Sequence, residues 1–473
     1  MLPIIDNHDN HDIFRLSDDY YFVSSPGDET QHRFFLEYAK TQARVETDAI
    51  GKKIIDLLPA SFGQVIEALT EGDPKTYVSP KLIYYYIAAF WKSGILIKSD
   101  VSEERSSTLP STTTHKVSSK TSVVIVTYYG EAFIRKNLES IYKQTFLPHE
   151  VIIVDNASGD RTLEIIRKEY PHVKIIRNPT NVHYARAVNI GVEAATGEWI
   201  IILNQDIVLK EDFIEKLNAR YAGESNHRLA AAVVPQMRFD KLPGFINGIG
   251  NFITEKNWGS DNYFGVVDIG QFDTLKYAGS ACFGAVMVTK ASWKTVGALD
   301  ETYRSFYEDV DWSMRAHLAG MKLLAAPEAI AYHAFGGSYP TGLKLKLVVK
   351  NRMRFVLKHL KGKTLKKFFI KYLKQDIKSV LFFLKKKSFK NIYYYKLAYW
   401  RLLLELPGIC ANRSKNKSSE EKIRSFFTSG CPHVALGNQA LNPVINQHTI
   451  RSYYYLTEME HLDYPPDPII LYS

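Results

Sequence analysis

Three stretches of the chain, VVIVT (123–127), VIIVD (151–155) and WIIILN (199–204), are unbroken apolar runs that end in polar residues. Such a run predicts a strand buried on both faces, and its polar ending predicts a carboxyl end that opens into a crevice. Helical periodicity fills the gaps, over 132–144, 161–170 and 185–195, the last stopping at Thr196-Gly197. Strands alternating with helices over 121–345 predict an α/β domain with a Rossmann-like, mostly parallel sheet and flanking helices. From Asp240 to Asp273 the pattern is lost in a Gly- and Asn-rich stretch, as expected of a binding loop or lid.

The flanks read differently. Residues 1–12 are polar, and His8 and His11 with their neighbouring Asp residues read as a solvated tail. Over 13–99 two short strands, at Phe14–Ser17 and Tyr20–Val23, predict a small ribbon. Thr47-Asp48 predicts the cap of a helix, a second helix is expected near 62–69, and a third starts at Ser79-Pro80 and ends at Gly94. Ile95-Leu96-Ile97 closes the unit as a strand. Residues 100–120 are Ser/Thr-rich and read as a linker. Between 343 and 405 there are nineteen Lys/Arg, and Asp376 is the one acid before Glu405. Interleaved aromatic and aliphatic residues predict a basic helical extension over 346–425. Residues 426–473 form a tail with no functional reading.

Composition adds three constraints. A net charge of +10 points to an acidic partner: phosphorylated substrate, anionic lipid or nucleic acid. No nucleic-acid reading module accompanies the charge, so nucleic acid is not expected. Three Cys with no metal-binding spacing favour a reducing compartment. Neither a signal peptide nor a run of about eighteen apolar residues appears, so a cytoplasmic protein is expected, peripheral on the inner membrane leaflet where the basic helices touch lipid.

The chemistry sits at the strand ends and in one acidic box. Asn204-Gln205-Asp206 closes the third strand, and Glu308, Asp309 and Asp311 fall within FYEDVDW (306–312). Acids at the ends of apolar strands have no packing purpose; they suit a site for a cation and a diphosphate. Taken alone, Asp206 also reads as a helix cap and the box as an acidic helix start. Asp309 and Asp311 point about 200° apart on a helix, so they serve different tasks. Arg315 lies four residues after Asp311 and is placed to pair with it.

With these motifs in this order, the stretch from Thr121 to Arg354 resembles a family 2 glycosyltransferase of the GT-A fold, most of all its rhamnosyltransferase-like branch. The resemblance implies inverting transfer of a sugar from a UDP- or dTDP-sugar to a glycan, lipid-linked or ribosomal peptide acceptor. It implies Mg²⁺ or Mn²⁺ on the diphosphate, held by Asp206 and His333, with Asn204 where the family usually has an acid. Thr127, Tyr128, Asp155, Arg186 and Asn189 match the nucleotide pocket, with His183 where Gly is frequent and Val188 where Asn is. Asp309 is implied as the base, Glu308 as orienting the helix start, and Asp311 as a holder of backbone or acceptor. Trp312 shelves an acceptor sugar or packs in the core, and Lys350 and Arg352 approach phosphate. Residues 13–99 resemble a PqqD-like winged-helix module; a helical cap on the transferase is the other reading. A degenerate binding protein on the same scaffold is the alternative function, and Asn204 is its support.

Overall fold

A computed structural model of the chain describes residues 116–240, 246–252, 275–334, 341–415 and 418–429. It also describes short pieces at 13–16, 20–23, 34–38, 43–47, 49–58, 60–61, 64–65, 68, 87, 96–98, 260–261, 263 and 272.

The central sheet is built from β1 (Lys116–Thr127), β2 (Phe146–Asp155), β3 (Lys174–Arg177), β4 (Trp199–Asn204), β5 (Ile207–Leu209), β6 (Ala230–Phe239), β7 (Ala285–Thr289) and β8 (Lys322–His333). Their order across the sheet is β5-β8-β6-β7-β4-β1-β2-β3, and the short strands Ile246–Gly248 and Tyr277–Ala278 add to it. Strands β4, β1, β2 and β3 run parallel. Beyond β4 the expectation of a mostly parallel sheet fails: β7 is antiparallel to both β4 and β6, and β5 is antiparallel to β8. Only β6 and β8 pair in parallel there. The sheet is mixed. An apolar run such as AVMVT reports burial on both faces, and burial is the same whichever way the neighbour runs.

Alternation along the strands sorts the two faces. Val124, Val126, Ile152, Val154, Ile200 and Ile202 pack under α3 (Tyr184–Ala194) through Val188 and Val192. Val123, Ile125, Val151, Ile153, Ile201 and Leu203 pack under α1 (Ile134–Tyr142), α2 (Thr162–Glu169) and α4 (Phe213–Ala222). The two-residue period of a strand puts neighbouring side chains on opposite faces, so a run apolar at every position needs cover on both. Helices α5 (Lys290–Val296) and α6 (Glu308–Leu318) precede β8.

The basic extension is helical, as expected: α7 (Thr341–His359), α8 (Gly362–Lys385), α9 (Phe389–Lys415) and α10 (Glu420–Ser429). The boundary expected at 345 falls inside α7, which packs against the acidic box through a core of Tyr303, Val310, Met314, Met353 and Phe355. No helix among the described residues is long and apolar enough to cross a membrane.

Near the N-terminus the expected ribbon does not form. Ile13–Leu16 pairs with Ala60–Ser61 and Leu96–Lys98, whereas Tyr20–Val23 pairs with Phe34–Tyr38 in a second sheet that continues to Ala43–Thr47. The helix after Thr47-Asp48 is present as Ala49–Asp56, and the closing strand as Leu96–Lys98. The helix expected from Ser79, most of the one near 62–69, most of the linker and the tail beyond 429 lie outside the described residues.

Candidate active site

The parallel register places Thr127 beside Asp155, and Asn204 beside Val126, along one edge of the sheet. Thr127 is buried, and its hydroxyl donates to Gln205 Oε1 at 2.5 Å. The same oxygen accepts the Tyr128 backbone N–H at 2.9 Å, and Gln205 Nε2 donates back to the Tyr128 carbonyl at 3.1 Å. Gln205, which the sequence reading passed over, thus locks the end of β1 to the end of β4. A Cβ at Gly130 would lie 2.4 Å from this amide oxygen, so a larger residue there would displace Gln205 from the lock. The Tyr128 ring stays exposed, edge-on to Tyr129 with centroids 4.7 Å apart. Asp155 is closed off from solvent; its carboxylate accepts the Ser158 N–H at 3.2 Å and faces Arg177 Nε at 3.7 Å. Asp160 accepts from Thr162 N–H and caps α2.

Helix α3 starts at His183, whose φ of 67° lies where glycine is at ease. That accounts for glycine at this place in the resembled family. Arg186 is exposed, 3.9 Å from Glu301. Asn189 does not face the crevice as the resemblance implies. Its amide donates to the Leu299 carbonyl and Glu301, and its oxygen accepts the Leu299 N–H at 2.9 Å, tying α3 to the loop before α6.

Asp206 follows β4, and the next residues form β5, not a helix. The helix after it begins at Phe213 with Asp212 at its cap, so Asp206 caps nothing. β5 pairs antiparallel with the end of β8, setting Ile207 opposite His333. His333 Nε2 lies 3.3 Å from Asp206 Oδ2, and its Nδ1 lies 2.8 Å from Asn247 Oδ1. With Nδ1 donating to Asn247 Oδ1, the protonated ring also directs its Nε2–H at Asp206. Burial alone would raise the Asp206 pKa; the charge and hydrogen bond of His333 outweigh it and hold the carboxyl below its usual range. Asp206 Oδ1 and Asn204 Oδ1 are buried without a hydrogen-bond partner. Buried oxygens without partners are costly, and these two sit where the resemblance puts a divalent cation. Among the described residues no group of three His, Cys, Asp or Glu forms, so the pair suits a hard cation that completes its shell with phosphate oxygens and water. The residues fit Mn²⁺ or Mg²⁺, and an imidazole neighbour suits Mn²⁺ better.

Three non-glycine residues just before the acidic box have left-handed backbones: Arg304 (φ 68°), Phe306 (φ 68°) and Tyr307 (φ 72°). Such backbones cost about 1–3 kcal/mol each and persist only when their surroundings dictate them. Asn351 on α7 supplies that grip, its Nδ2 donating to the carbonyls of Tyr303, Ser305 and Phe306 at 2.7–2.8 Å.

The box divides into three roles. Glu308 is buried, with Oε2 unpartnered, and burial followed by the charge of Asp309 pushes its pKa well above the carboxylate range. That upward shift disfavours its charged form, which makes it a poorer base candidate than Asp309. Asp309 is half-buried; its Oδ2 accepts from Asn251 Nδ2 at 2.8 Å and its Oδ1 from the Val310 N–H. Asp311 is fully buried and cannot reach an acceptor. It takes Arg315 Nε at 2.9 Å, His359 Nε2 at 2.7 Å, Lys358 Nζ at 2.6 Å and the Tyr303 hydroxyl at 3.1 Å. The pairing with Arg315 is the one its spacing predicts. Trp312 takes the core alternative: it is buried, stacks on Trp293 at 5.8 Å and donates to the Gly297 carbonyl. Lys350 and Arg352 are buried as well, on Glu405 and Asp376 respectively, so neither is presented to a phosphate.

Tyr184 joins the two sides of the crevice. Its buried hydroxyl donates to the Phe283 carbonyl at 2.5 Å, and its pKa is raised first by burial, then by Glu308, Cys282, Asp309 and Asp206.

Comparison with known proteins agrees with this geometry. Residues 122–253 match the family described as glycosyl transferase family 2. An uncharacterised glycosyltransferase of Haemophilus influenzae is 30% identical over 128 residues, which are 26% of this chain and 39% of that protein. An N-acetylglucosaminyl-diphospho-decaprenol L-rhamnosyltransferase of Mycobacterium tuberculosis is 25% identical over 235 residues, 45% of this chain and 75% of that one. A mannosyltransferase from Pyrobaculum calidifontis, solved with GDP-Man and Mn²⁺, aligns with 88% of this chain and 100% of its own at 12% identity and a TM-score of 0.38. The chain thus spans about two-fifths of the Haemophilus relative that it matches. The matched stretch contains Thr127, Asp155, Asn204 and Asp206 at the strand ends, whereas the acidic box and His333 lie beyond it.

Proposed function

We propose that the protein is an inverting glycosyltransferase that moves a sugar from a UDP- or dTDP-sugar to a hydroxyl or thiol of a glycan, lipid-linked or ribosomal peptide acceptor. The observation that carries this reading is the pair Asp206–His333 at the strand ends, where Asp206 Oδ1 and Asn204 Oδ1 are buried without a hydrogen-bond partner. Asp206, with His333 beside it and Asn204 next in line, would hold Mg²⁺ or Mn²⁺, which when bound neutralises the leaving diphosphate. Tyr128 stacks on the base, Thr127 and Asp155 shape the floor of the nucleotide pocket, and Arg186 faces the ribose or diphosphate. Asp309 takes the acceptor proton as the new bond forms on the far face of the sugar.

The test is a panel of UDP-, dTDP- and GDP-sugars with Mn²⁺ or EDTA, read by donor-induced thermal shift and slow donor hydrolysis. One donor is expected to raise the melting temperature and to be hydrolysed only with metal. Asp206→Ala should abolish the metal-dependent part of both signals. A shift without turnover that Asp309→Asn leaves unchanged would favour a degenerate binder, the reading that Asn204 supports. No response to any donor would overturn the proposal.

Asn251 is the positioning residue for the base. Gly250 sets it there with a φ of 69°, and a Cβ at that glycine would meet the Ser280 carbonyl at 2.1 Å. A hydrogen bond donated to a carboxylate favours its charged form. Asn251→Ala is therefore expected to move the acid limb of the kcat/KM profile upward by about one pH unit, since such bonds are worth about 1.5–3 kcal/mol. An acid limb that stays in place would show that the amide serves packing alone.

A further inference from the structure

Helix α8 is apolar on two sides. Phe368, Tyr372 and Phe383 are buried against α7 and α9, and buried Asp376 pairs with Arg352. A second stripe, Ile370, Leu373, Ile377, Leu381 and Leu384, recurs at helical spacing and faces solvent, with Leu381 58% exposed. Lys374, Lys378 and Lys385 are exposed along one flank. Helix α9 repeats the arrangement with Phe389 (68% exposed), Tyr393, Trp400 (58%), Leu403 and Leu404, beside exposed Lys390, Lys396 and Arg401. A helix needs one apolar face to join a fold. Two successive helices that each expose a second one have a surface left over, and contiguous exposed apolar residues mark an interaction site.

We infer that the outward stripes of α8 and α9 dock on an anionic lipid bilayer, the apolar side chains entering the headgroup–acyl boundary while the lysines meet lipid phosphates. This inference holds whether or not the site turns over. Charge selects the occupant. From 361 to 404 there are thirteen Lys/Arg and the single acid Asp376, which is buried. A second copy would bring like charges together, and a nucleic acid would leave Ile377, Leu381 and Trp400 without apolar partners. Anionic bilayers satisfy both halves of the surface, at about 1 kcal/mol per basic residue near the headgroups.

The test is flotation of the full chain with vesicles of phosphatidylcholine alone, or mixed with phosphatidylglycerol. Binding is expected to the mixed vesicles only, and to weaken as salt rises. The double variant Ile377→Glu, Leu381→Glu should lower binding at least about tenfold, given about 1.5–3 kcal/mol for each buried apolar side chain. Both residues are exposed, so its melting temperature should match the parent's. Trp400 emission should shift to the blue on mixed vesicles, and Trp400→Phe should remove that component. Failure to float, or undiminished flotation of the double variant, would overturn the inference. So would self-association in sedimentation that the same variant abolishes, since the occupant would then be a second copy.

Discussion

On the proposed reading, Asp309→Asn is expected to lower kcat for sugar transfer by about a thousandfold while leaving donor-induced thermal shift within a few-fold of the parent. A base positioned for proton transfer contributes about 10²–10⁴ in rate, and an amide of the same shape cannot take the proton. Within the box only Asp309 meets the requirements. Burial raises the Glu308 pKa and disfavours its charged form, and Asp311 is spent on Arg315, Lys358, His359 and Tyr303. Asp309 is half-buried, and its carboxylate accepts from Asn251 Nδ2 and the Val310 N–H. Because Asn keeps the shape and still accepts, the variant should fold and bind donor. Measuring kcat and donor affinity separately checks this; full activity in the variant would remove Asp309 from the reaction.

Asp311→Asn destabilises the fold by about 3–5 kcal/mol, read as a lower urea midpoint at unchanged slope. The residue looks like a site acid in sequence and acts as a structural hub. Burial raises its pKa, but Lys358, His359 and Arg315 overcome that and hold it well below the carboxylate range. Removing the charge leaves Arg315 without its carboxylate and Lys358 with Asp300 alone, which is the costly way to break a buried ion pair. Asp300 completes the hub through Lys358 at 2.7 Å and Arg354 at 3.2 Å. Despite burial these partners, Lys358 foremost, lower its pKa from 3.8 to about 2. A carboxyl with a depressed folded pKa gives stability that is present above 3.8 and lost as pH falls through about 2, here about 2 kcal/mol. Acid unfolding monitored by circular dichroism should therefore show a loss in that window, and Asp300→Asn should remove it. An Asp311→Asn variant as stable as the parent would mean that the hub is balanced without its charge.

Much of the candidate site was legible because strand-end chemistry is local. Thr127, Asp155, Asn204 and Asp206 each follow an apolar run, and the run itself says that its end opens at an edge of the sheet. The readings that failed were those in which a polar residue looks the same in a crevice and in a packed junction. Asn189, Asp311, Lys350 and Arg352 all sit at matching positions, yet each is taken up by a partner 24 to 110 residues away or, for Asp311, by α7 as well as by its own helix. Gln205, Asn251 and Asn351 carried no signal, since an amide that bonds backbone reveals itself only when that backbone is in place.

From the sequence alone came the positions of the buried strands and helices, the acids at the strand ends and the basic character of 343–405. All of these rest on side-chain pattern over a few residues, which local propensity and burial dictate. The tertiary structure decided the direction of β7, the meeting of Asp206 with His333, the division of the acidic box into a buried acid of raised pKa, a base candidate and a hub, and the two outward apolar stripes of α8 and α9. Those depend on which distant residue fills each hydrogen-bonding direction and which helix face a neighbour covers, and neither is fixed by spacing along the chain.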